Sequence, residues 1–282
     1  MRRPRPSPPN SLGRFPFDLA LLSEIQESDG ISYRQHGLLR VYAHALLEIS
    51  GELHNASRAH AQYYADLAWH AETTKPPAYS LLEQHVLNLQ AALAWTADHE
   101  PELFVRLMDG LRQFLHLRGQ LTLLETYLPK AVAAAKATGA NIRQANLLTS
   151  LGNLESQLGN IDQARAHYDA ALPLYRAERD RLGEASIYTN LGDLFLAQED
   201  RIQARTYYEL ALPLFVAVRE PIGQANTLID LGRIRFELGE HEQGILDVQE
   251  AAKLYHFTRN EEWAGYAEQH LSEMRLRMAE PE

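Results

Sequence analysis

The sequence predicts an all-α fold in which antiparallel helix pairs stack one on the next. The main observation is a Leu-Gly pair that recurs every 40 residues, at Leu151-Gly152, Leu191-Gly192 and Leu231-Gly232. Alanines and aromatic residues around each pair recur at the same 40-residue spacing, so the repetition is not a chance match of one dipeptide. A further observation is that no apolar run approaches the roughly 20 residues needed to cross a bilayer.

Composition limits the classes of function. The chain has 282 residues, 45% of them hydrophobic and 23% charged, which is ordinary for a globular protein. The formal net charge of -10 argues against a nucleic-acid surface, which needs a broad basic face. Cysteine is absent, which excludes disulfides and thiolate metal sites and fits a cytoplasmic protein.

The first segment, residues 1–16, is rich in proline and arginine. Proline removes backbone donors and interrupts helices, so we expect a disordered tail. No apolar segment follows the basic residues, so a signal peptide is not predicted.

Each 40-residue unit is predicted to contain two helices. In the first unit Ala145, Leu148 and Leu151 fall near helical spacing, and Gly152 lets a partner helix approach the backbone closely. A turn follows at Gly159-Asn160. The second helix carries small and large side chains at helical spacing, namely Ala164, Tyr168 and Ala171.

This frame resembles the tetratricopeptide repeat, with Leu-Gly on one helix and Ala, a large aromatic residue and Ala on the next. The resemblance implies a right-handed superhelix of helix pairs over residues 139–282. Gly265 and Leu271 begin a final unit that stops after one helix, and a single closing helix is a common cap for such arrays. Glu155 and Arg235 stand where Phe195 matches the family's aromatic residue, so we expect imperfect packing there.

Residues 53–138 are predicted to form degenerate helical hairpins. Leu111, Gly119 and Leu124 fit a weakened copy of the repeat over about 101–138. Residues 53–98 look helical but leave the repeat frame.

Three segments of the N-terminal part stand out, namely His36–Ala43, His60–Tyr64 and Asn88–Trp95. Together they resemble bacterial STAND-type signalling regulators, in which a P-loop NTPase and a winged helix precede a tetratricopeptide array. The resemblance implies that residues 17–52 are the end of a winged helix, with helices at Leu19–Glu27 and Arg40–Ile49 flanking a short hairpin at Ile31–Arg34. No G-x-x-x-x-G-K-[ST] segment occurs, so the phosphate-binding loop of the NTPase is absent.

The search for chemistry yields no catalytic or cofactor motif. The 12 histidines show no His-x-x-x-His pair, and zinc requires about four convergent ligands, so neither a metal nor a cofactor is expected. No nucleophile elbow or Ser/His/Asp arrangement is present, so we do not expect an enzyme. Trp69, Trp95 and Trp263 are interpreted as packing residues in preference to an aromatic cage.

The strongest candidate site is the concave face, which the first helices of the pairs line in a superhelix. Asparagine both donates and accepts, so it can pair with the main chain of an extended peptide whatever its sequence. Asn153 and Asn190 match the asparagines that hold peptide main chain in many tetratricopeptide domains, although they also fit the repeat consensus. The predicted peptide-binding residues are Asn146, Thr149, Asn153, Gln157, Ser186, Thr189, Asn190, Asp193, Asn226, Asp230, Arg233 and Phe236.

The sequence therefore predicts a scaffold that binds a protein or peptide, in a bacterial signalling or transcription-control system. The alternative is the sensor half of a STAND-type regulator whose ATPase lies on another chain or outside this sequence. Neither nucleic acid nor a membrane is an expected partner, although contact between the winged-helix-like segment and DNA stays open. The oligomeric state also stays open.

Overall fold

The computed structural model describes residues 22–27, 30–35 and 37–279. They form two compact units that divide between Ala59 and His60. The predicted tail at 1–16 lies outside the described residues, so its disorder stays a prediction.

The first unit contains an antiparallel hairpin of β1 (Leu22–Glu27) and β2 (Gly30–Gln35), followed by α1 (Gly37–Ser50). In the hairpin Leu22 pairs with Gln35 and Glu27 pairs with Gly30. The helix predicted over Leu19–Glu27 is therefore wrong where the structure describes it, because Leu22–Glu27 is a strand. Aspartate and glycine are typical of tight turns, so Asp29-Gly30 is a sequence signal for a turn between two strands.

Helix α2 (Leu53–Thr73) crosses the division between the units. The second unit continues with helices only, as far as it is described. The helices are α3 (Ser80–Glu83), α4 (Val86–His99), α5 (Pro101–Leu117), α6 (Leu121–Thr138), α7 (Asn141–Gln157), α8 (Ile161–Ala177), α9 (Arg181–Ala197), α10 (Arg201–Val218), α11 (Pro221–Glu237), α12 (His241–Phe257) and α13 (Glu261–Ala279).

Within the pairs α7–α8 and α9–α10, a glycine on the first helix faces a tyrosine on the second. A Cβ atom at Gly152 would lie 2.4 Å from the Cε1 of Tyr168, and one at Gly192 would lie 2.7 Å from the Cε1 of Tyr208. Both tyrosines are buried. The recurring Leu-Gly pair thus exists because only glycine leaves room for the aromatic ring.

Helices α11 and α12 approach each other more closely than the helices of the two preceding pairs do, because Val248 stands where those pairs have tyrosine. A Cβ atom at Gly232 would lie 2.8 Å from the carbonyl oxygen of Gly244, and one at Gly244 would lie 2.5 Å from the carbonyl oxygen of Gly232. The two backbones therefore meet directly at this point, where the smaller valine no longer holds the helices apart.

Consecutive pairs are joined by a second set of glycine–aromatic contacts. A Cβ atom at Gly183 would lie 2.2 Å from the Cδ1 of Tyr175, and one at Gly223 would lie 2.5 Å from the Cε1 of Phe215. The equivalent position at the junction of α12 with α13 is Trp263, 40 residues after Gly223. Its indole stacks on Tyr255 with ring centroids 6.1 Å apart.

The position at which imperfect packing was predicted holds an ion-pair cluster. Nη1 of Arg235 lies 2.7 Å from Oδ2 of the buried Asp247, and Nη2 lies 2.9 Å from Oε1 of Glu209. At the equivalent position in the preceding pair, Phe195 stacks on Tyr207 at 5.3 Å between ring centroids. Arg235 therefore replaces aromatic packing with ionic contacts between α10, α11 and α12.

The last described helix, α13, packs on the core of the preceding pair. Ala264, Ala267 and Leu271 share one cluster of buried side chains with Val248 and Ala251 of α12. This is the place at which the sequence predicts a closing helix. None of the described helices has both the length and the apolar character of a membrane span.

Candidate functional site

The predicted binding face lies on the first helices of the pairs, α7, α9 and α11. Its central contact joins α7 to α9: Nδ2 of Asn190 donates to Oδ1 of Asn153 at 3.1 Å. The same Oδ1 accepts from the hydroxyl of Tyr168 at 2.8 Å. Two donors thus fix the orientation of the Asn153 amide, and its Nδ2 can still act as a donor.

Asn146 at the start of this face is bonded on both sides of its amide. Its Oδ1 accepts from the hydroxyl of Tyr175 at 2.9 Å, and its Nδ2 donates to Oδ1 of Asp109 at 3.1 Å. The Tyr175 hydroxyl also lies 3.2 Å from Oγ1 of Thr149. Asn146 therefore stabilises the junction of α5, α7 and α8, and both ends of its amide make a hydrogen bond within the folded chain.

The hydroxyl residues of the predicted set bond to their own helices. Thr149, Ser186 and Thr189 each donate to the backbone carbonyl four residues earlier, at 2.9, 2.9 and 3.2 Å. Gln157 contacts the neighbouring α5, where its Nε2 lies 3.3 Å from Nε2 of His116. These side chains can still accept hydrogen bonds from a bound molecule through oxygen.

A cavity of about 320 Å³ lies further along the face, between α9, α11, α12 and α13. Its volume falls at the lower end of the range of roughly 300–1,000 Å³ that ligand pockets occupy. Four predicted residues meet at this cavity, together with four others. The lining consists of Thr189, Asp193, Asn226, Ile229, Asp230, Tyr255, Trp263 and Tyr266.

Two carboxylates give the cavity its electrostatic character. Burial raises the pKa of Asp230 to about 6, and the charge of Asp193 adds to the increase while Arg233 opposes it. Burial also raises the pKa of Asp193, although the hydroxyl of Tyr208, which donates to its Oδ1 at 2.5 Å, acts in the opposite direction. The cavity thus holds two carboxyl groups whose charge is partly disfavoured, although both still reach solvent: the Asp230 side chain is 29% exposed and Asp193 is exposed.

The rings of Tyr255, Trp263 and Tyr266 form the aromatic wall of the cavity. Tyr255 is buried and donates its hydroxyl to Oδ1 of Asn226. Burial, together with the charge of Asp230, raises the pKa of Tyr255 to about 12, so the phenol stays protonated at neutral pH. Trp263 and Tyr266 meet edge to face with centroids 5.4 Å apart, and both keep more than a third of their surface exposed.

None of these three aromatic residues is among the predicted peptide-binding residues. Trp263 was interpreted as a packing residue, but it is 47% exposed and lines the cavity. A signal was present, since Trp263 stands in the repeat position of Gly183 and Gly223 and replaces the smallest side chain with the largest.

The remaining two predicted residues lie at a second concavity of about 210 Å³ between α11 and α13. Arg233 has Nη1 3.8 Å from Oδ1 of Asp230 and therefore partly neutralises the first cavity. Phe236 is only 4% exposed, and the guanidinium of Arg277 lies 5.1 Å from its ring centroid. The prediction that Phe236 belongs to the open binding face is corrected accordingly: the ring is mainly a core side chain.

No group of three or more potential metal-ligating side chains occurs in the part of the chain that the structure describes.

These features define a helical-repeat solenoid with a polar inner face. Residues 143–215 and 184–255 match the family model of the tetratricopeptide repeat. The stretch from α7 to α12 is therefore a tetratricopeptide-repeat array, as the Leu-Gly frame predicts. No curated protein sequence matches the chain significantly.

Solved structures share the fold. BtubC (BKLC) from P. vanneervenii is 18% identical, with a TM-score of 0.57 over 73% of this chain and 90% of that one. The apo form of RapI is 10% identical, with a TM-score of 0.61 over 73% and 74% of the two chains.

A third similar structure is a Signal Transduction ATPase with Numerous Domains (STAND) protein with a tetratricopeptide repeat sensor, from Pyrococcus horikoshii. It is 18% identical, with a TM-score of 0.56 over 72% of this chain and 33% of that one. This chain thus spans about a third of the length of that STAND protein. At such identities the likeness shows the fold alone, and a tetratricopeptide solenoid is typically a non-catalytic scaffold for protein interaction.

Proposed function

We propose that the inner face of α7, α9 and α11 binds an extended peptide or protein segment and that the chain acts as a scaffold without catalysis. The observation that supports this most is the oriented amide of Asn153, whose oxygen is held by Tyr168 and Asn190. Its nitrogen is thereby directed to donate to a carbonyl of a bound main chain. The setting we propose is a bacterial signalling or transcription-control system in the cytoplasm.

The substitution Asn153→Asp tests this function with little disturbance of the fold. A carboxylate still accepts from Tyr168 and Asn190, but it cannot donate to a peptide carbonyl. Short random peptides selected on the intact protein supply the probe, and calorimetry then compares wild type with the variant. We expect the variant to bind the selected peptides at least about tenfold more weakly.

Asn55→Asp is the matched control, because Asn55 is exposed on α2 and the change adds the same charge. Equal peptide affinity for wild type and Asn153→Asp, with both variants folded by circular dichroism, would exclude this face as the main-chain binding surface.

A second function is a sensor region that works with a P-loop NTPase supplied separately. It is favoured by the likeness to the STAND protein with a tetratricopeptide repeat sensor and by the hairpin and helix that precede the array. The genomic sequence upstream of the coding region tests it. A reading frame with a phosphate-binding loop would support the idea, and the lack of any such frame in the same gene neighbourhood would count against it.

A further inference from the structure

Asp193 and Asp230 occupy the positions that a hydrogen-bonded pair of asparagines occupies one repeat earlier in the chain. Asn153 and Asn190 are 37 residues apart and share a hydrogen bond between α7 and α9. Moved forward by one 40-residue repeat, the same two positions are Asp193 on α9 and Asp230 on α11. Two amides in this arrangement attract, whereas two carboxylates repel each other.

The folded chain compensates this repulsion only in part. The Tyr208 hydroxyl bonds Asp193, and Arg233 approaches Asp230 no closer than 3.8 Å. No lysine or arginine is among the described residues that line the cavity itself. His270 on α13 adds little positive charge, because burial and the nearby Arg233 lower its pKa.

The aromatic wall favours the same kind of occupant as the carboxylates. The exposed faces of Trp263 and Tyr266 border the cavity, and indole and phenol rings attract cations through their π faces. A planar guanidinium can bond two carboxylate oxygens and stack on a ring at the same time, which an ammonium group cannot do.

We infer that this cavity binds an arginine side chain of a partner protein, with the guanidinium between Asp193 and Asp230 and against Trp263. The inference rests on the proposed function and adds a specificity element to it. The asparagine contact on α7 recognises main chain, and the cavity selects a partner segment that carries arginine at one position.

The test uses Nα-acetyl-arginine methylamide as the probe and the intact protein, with the indole N–H resonance of Trp263 as the readout. That resonance is assigned through the Trp263→Phe variant. Two control probes are compared with it. The citrulline analogue has nearly the same shape as the arginine probe but no charge, and the Nα-acetyl-lysine analogue has the charge but not the planar guanidinium. A probe of this size binds only in the roughly millimolar range, which NMR titration measures well.

We expect the arginine probe to shift the Trp263 resonance in a saturable way and the citrulline probe to leave it unchanged. Asp193→Asn/Asp230→Asn should weaken arginine binding at least about tenfold. Glu262→Gln on α13, outside the cavity lining, controls for loss of negative charge and should leave binding unchanged. Thermal unfolding of each variant confirms that it is folded.

Several results would overturn the inference: no shift with arginine, equal binding of citrulline, tighter binding of lysine, or an equal loss in Glu262→Gln. Failure here is separable from failure of the proposed function. Selected peptides that depend on Asn153 but lack arginine would leave the scaffold proposal standing and remove this one.

Discussion

Nδ2 of Asn190 donates to Oδ1 of Asn153 across 3.1 Å, and this contact joins two consecutive helix pairs of the array. The same oxygen accepts from the hydroxyl of the buried Tyr168. Asn153 therefore has a structural role inside the repeat and, through its nitrogen, the capacity to donate to a ligand. The structural role thus belongs to the oxygen of this side chain, and the proposed binding role concerns its nitrogen.

Asn153→Ala is expected to destabilise the protein more than Asn190→Ala does. Loss of Asn190 removes one hydrogen bond, at a cost of about 1 kcal/mol, whereas loss of Asn153 also deprives the Tyr168 hydroxyl of its acceptor, at a further cost of about 1–3 kcal/mol. Urea unfolding followed by circular dichroism measures the difference. Asn153→Asp keeps the acceptor and should lie close to wild type. An Asn153→Ala effect no larger than that of Asn190→Ala would show that Tyr168 does not depend on this oxygen.

The repeat frame was predictable because each recurring residue type has one dominant packing role. Gly152 and Gly192 leave space for tyrosine rings, and the alanines permit close helix contact, so the sequence spacing predicts the packing directly. The strand Leu22–Glu27 was predicted as part of a helix, because a short segment whose two apolar residues, Leu22 and Ile25, are three positions apart is ambiguous between helix and strand.

The candidate site was predicted only on its polar side. Asp193 and Asp230 were found because they fall off the packing face of α9 and α11. Their electrostatic coupling and the aromatic wall were not, because Tyr255 and Trp263 come from other helices. Their meeting depends on the crossing of α11, α12 and α13, which residue spacing alone does not specify.

Gly192→Ala is expected to destabilise the array, although alanine is the better helix former by about 1 kcal/mol. The new Cβ would lie 2.7 Å from the Tyr208 ring, which is fully buried and cannot move away freely. We expect a net loss of about 1–3 kcal/mol, measured by urea unfolding.

Gly265→Ala on α13 is the matched control, since a Cβ there meets nothing within 4 Å. It should be neutral or stabilising by up to about 1 kcal/mol. A stabilising Gly192→Ala would mean that Tyr208 can shift and that the glycine is not required by packing.

Glu199→Gly is expected to stabilise the protein. Glu199 has φ 62°, a left-handed conformation, and the equivalent turns of the neighbouring pairs carry Gly159 and Gly239 with positive φ. Removing the side chain relieves about 1–2 kcal/mol of strain, of which the greater freedom of unfolded glycine offsets about 0.5–1 kcal/mol. The expected net gain therefore lies between zero and about 1.5 kcal/mol.

Thermal unfolding measures this gain, and Gly239→Ala should show the reverse effect at the equivalent turn of the next pair. A lower melting temperature for Glu199→Gly would indicate that the glutamate side chain contributes more stability than its backbone conformation costs.

Asp230→Asn is expected to raise stability at neutral pH. The folded pKa of Asp230, about 6, lies above the ordinary value of 3.8, so the folded state binds the proton more tightly than the unfolded state does. Ionisation therefore costs stability as pH rises from about 4 to 6, and the cost persists above pH 6. Asparagine avoids ionisation, and it can also restore at Asp193 the kind of hydrogen bond that Asn190 makes with Asn153.

The gain in melting temperature for Asp230→Asn should thus be near zero below about pH 4, grow up to about pH 6 and stay constant above it. The rise in the pKa of Asp230 corresponds to about 1–3 kcal/mol of unfolding free energy, or several degrees in melting temperature for a protein of this length. The pH profile also depends on the other charged and titratable groups near the Asp230 carboxylate, namely Asp193 on α9, Arg233 on α11, Tyr208 on α10 and Tyr255 on α12.

Asp169→Asn on α8 provides the baseline, because that carboxylate is exposed beside Arg165. Subtracting its profile removes the effect of net charge. A pH-independent gain for Asp230→Asn would show that the carboxylate is well solvated or fully paired with Arg233. In that case the cavity would hold no uncompensated negative charge at Asp230, and the electrostatic reason for an arginine occupant would be lost.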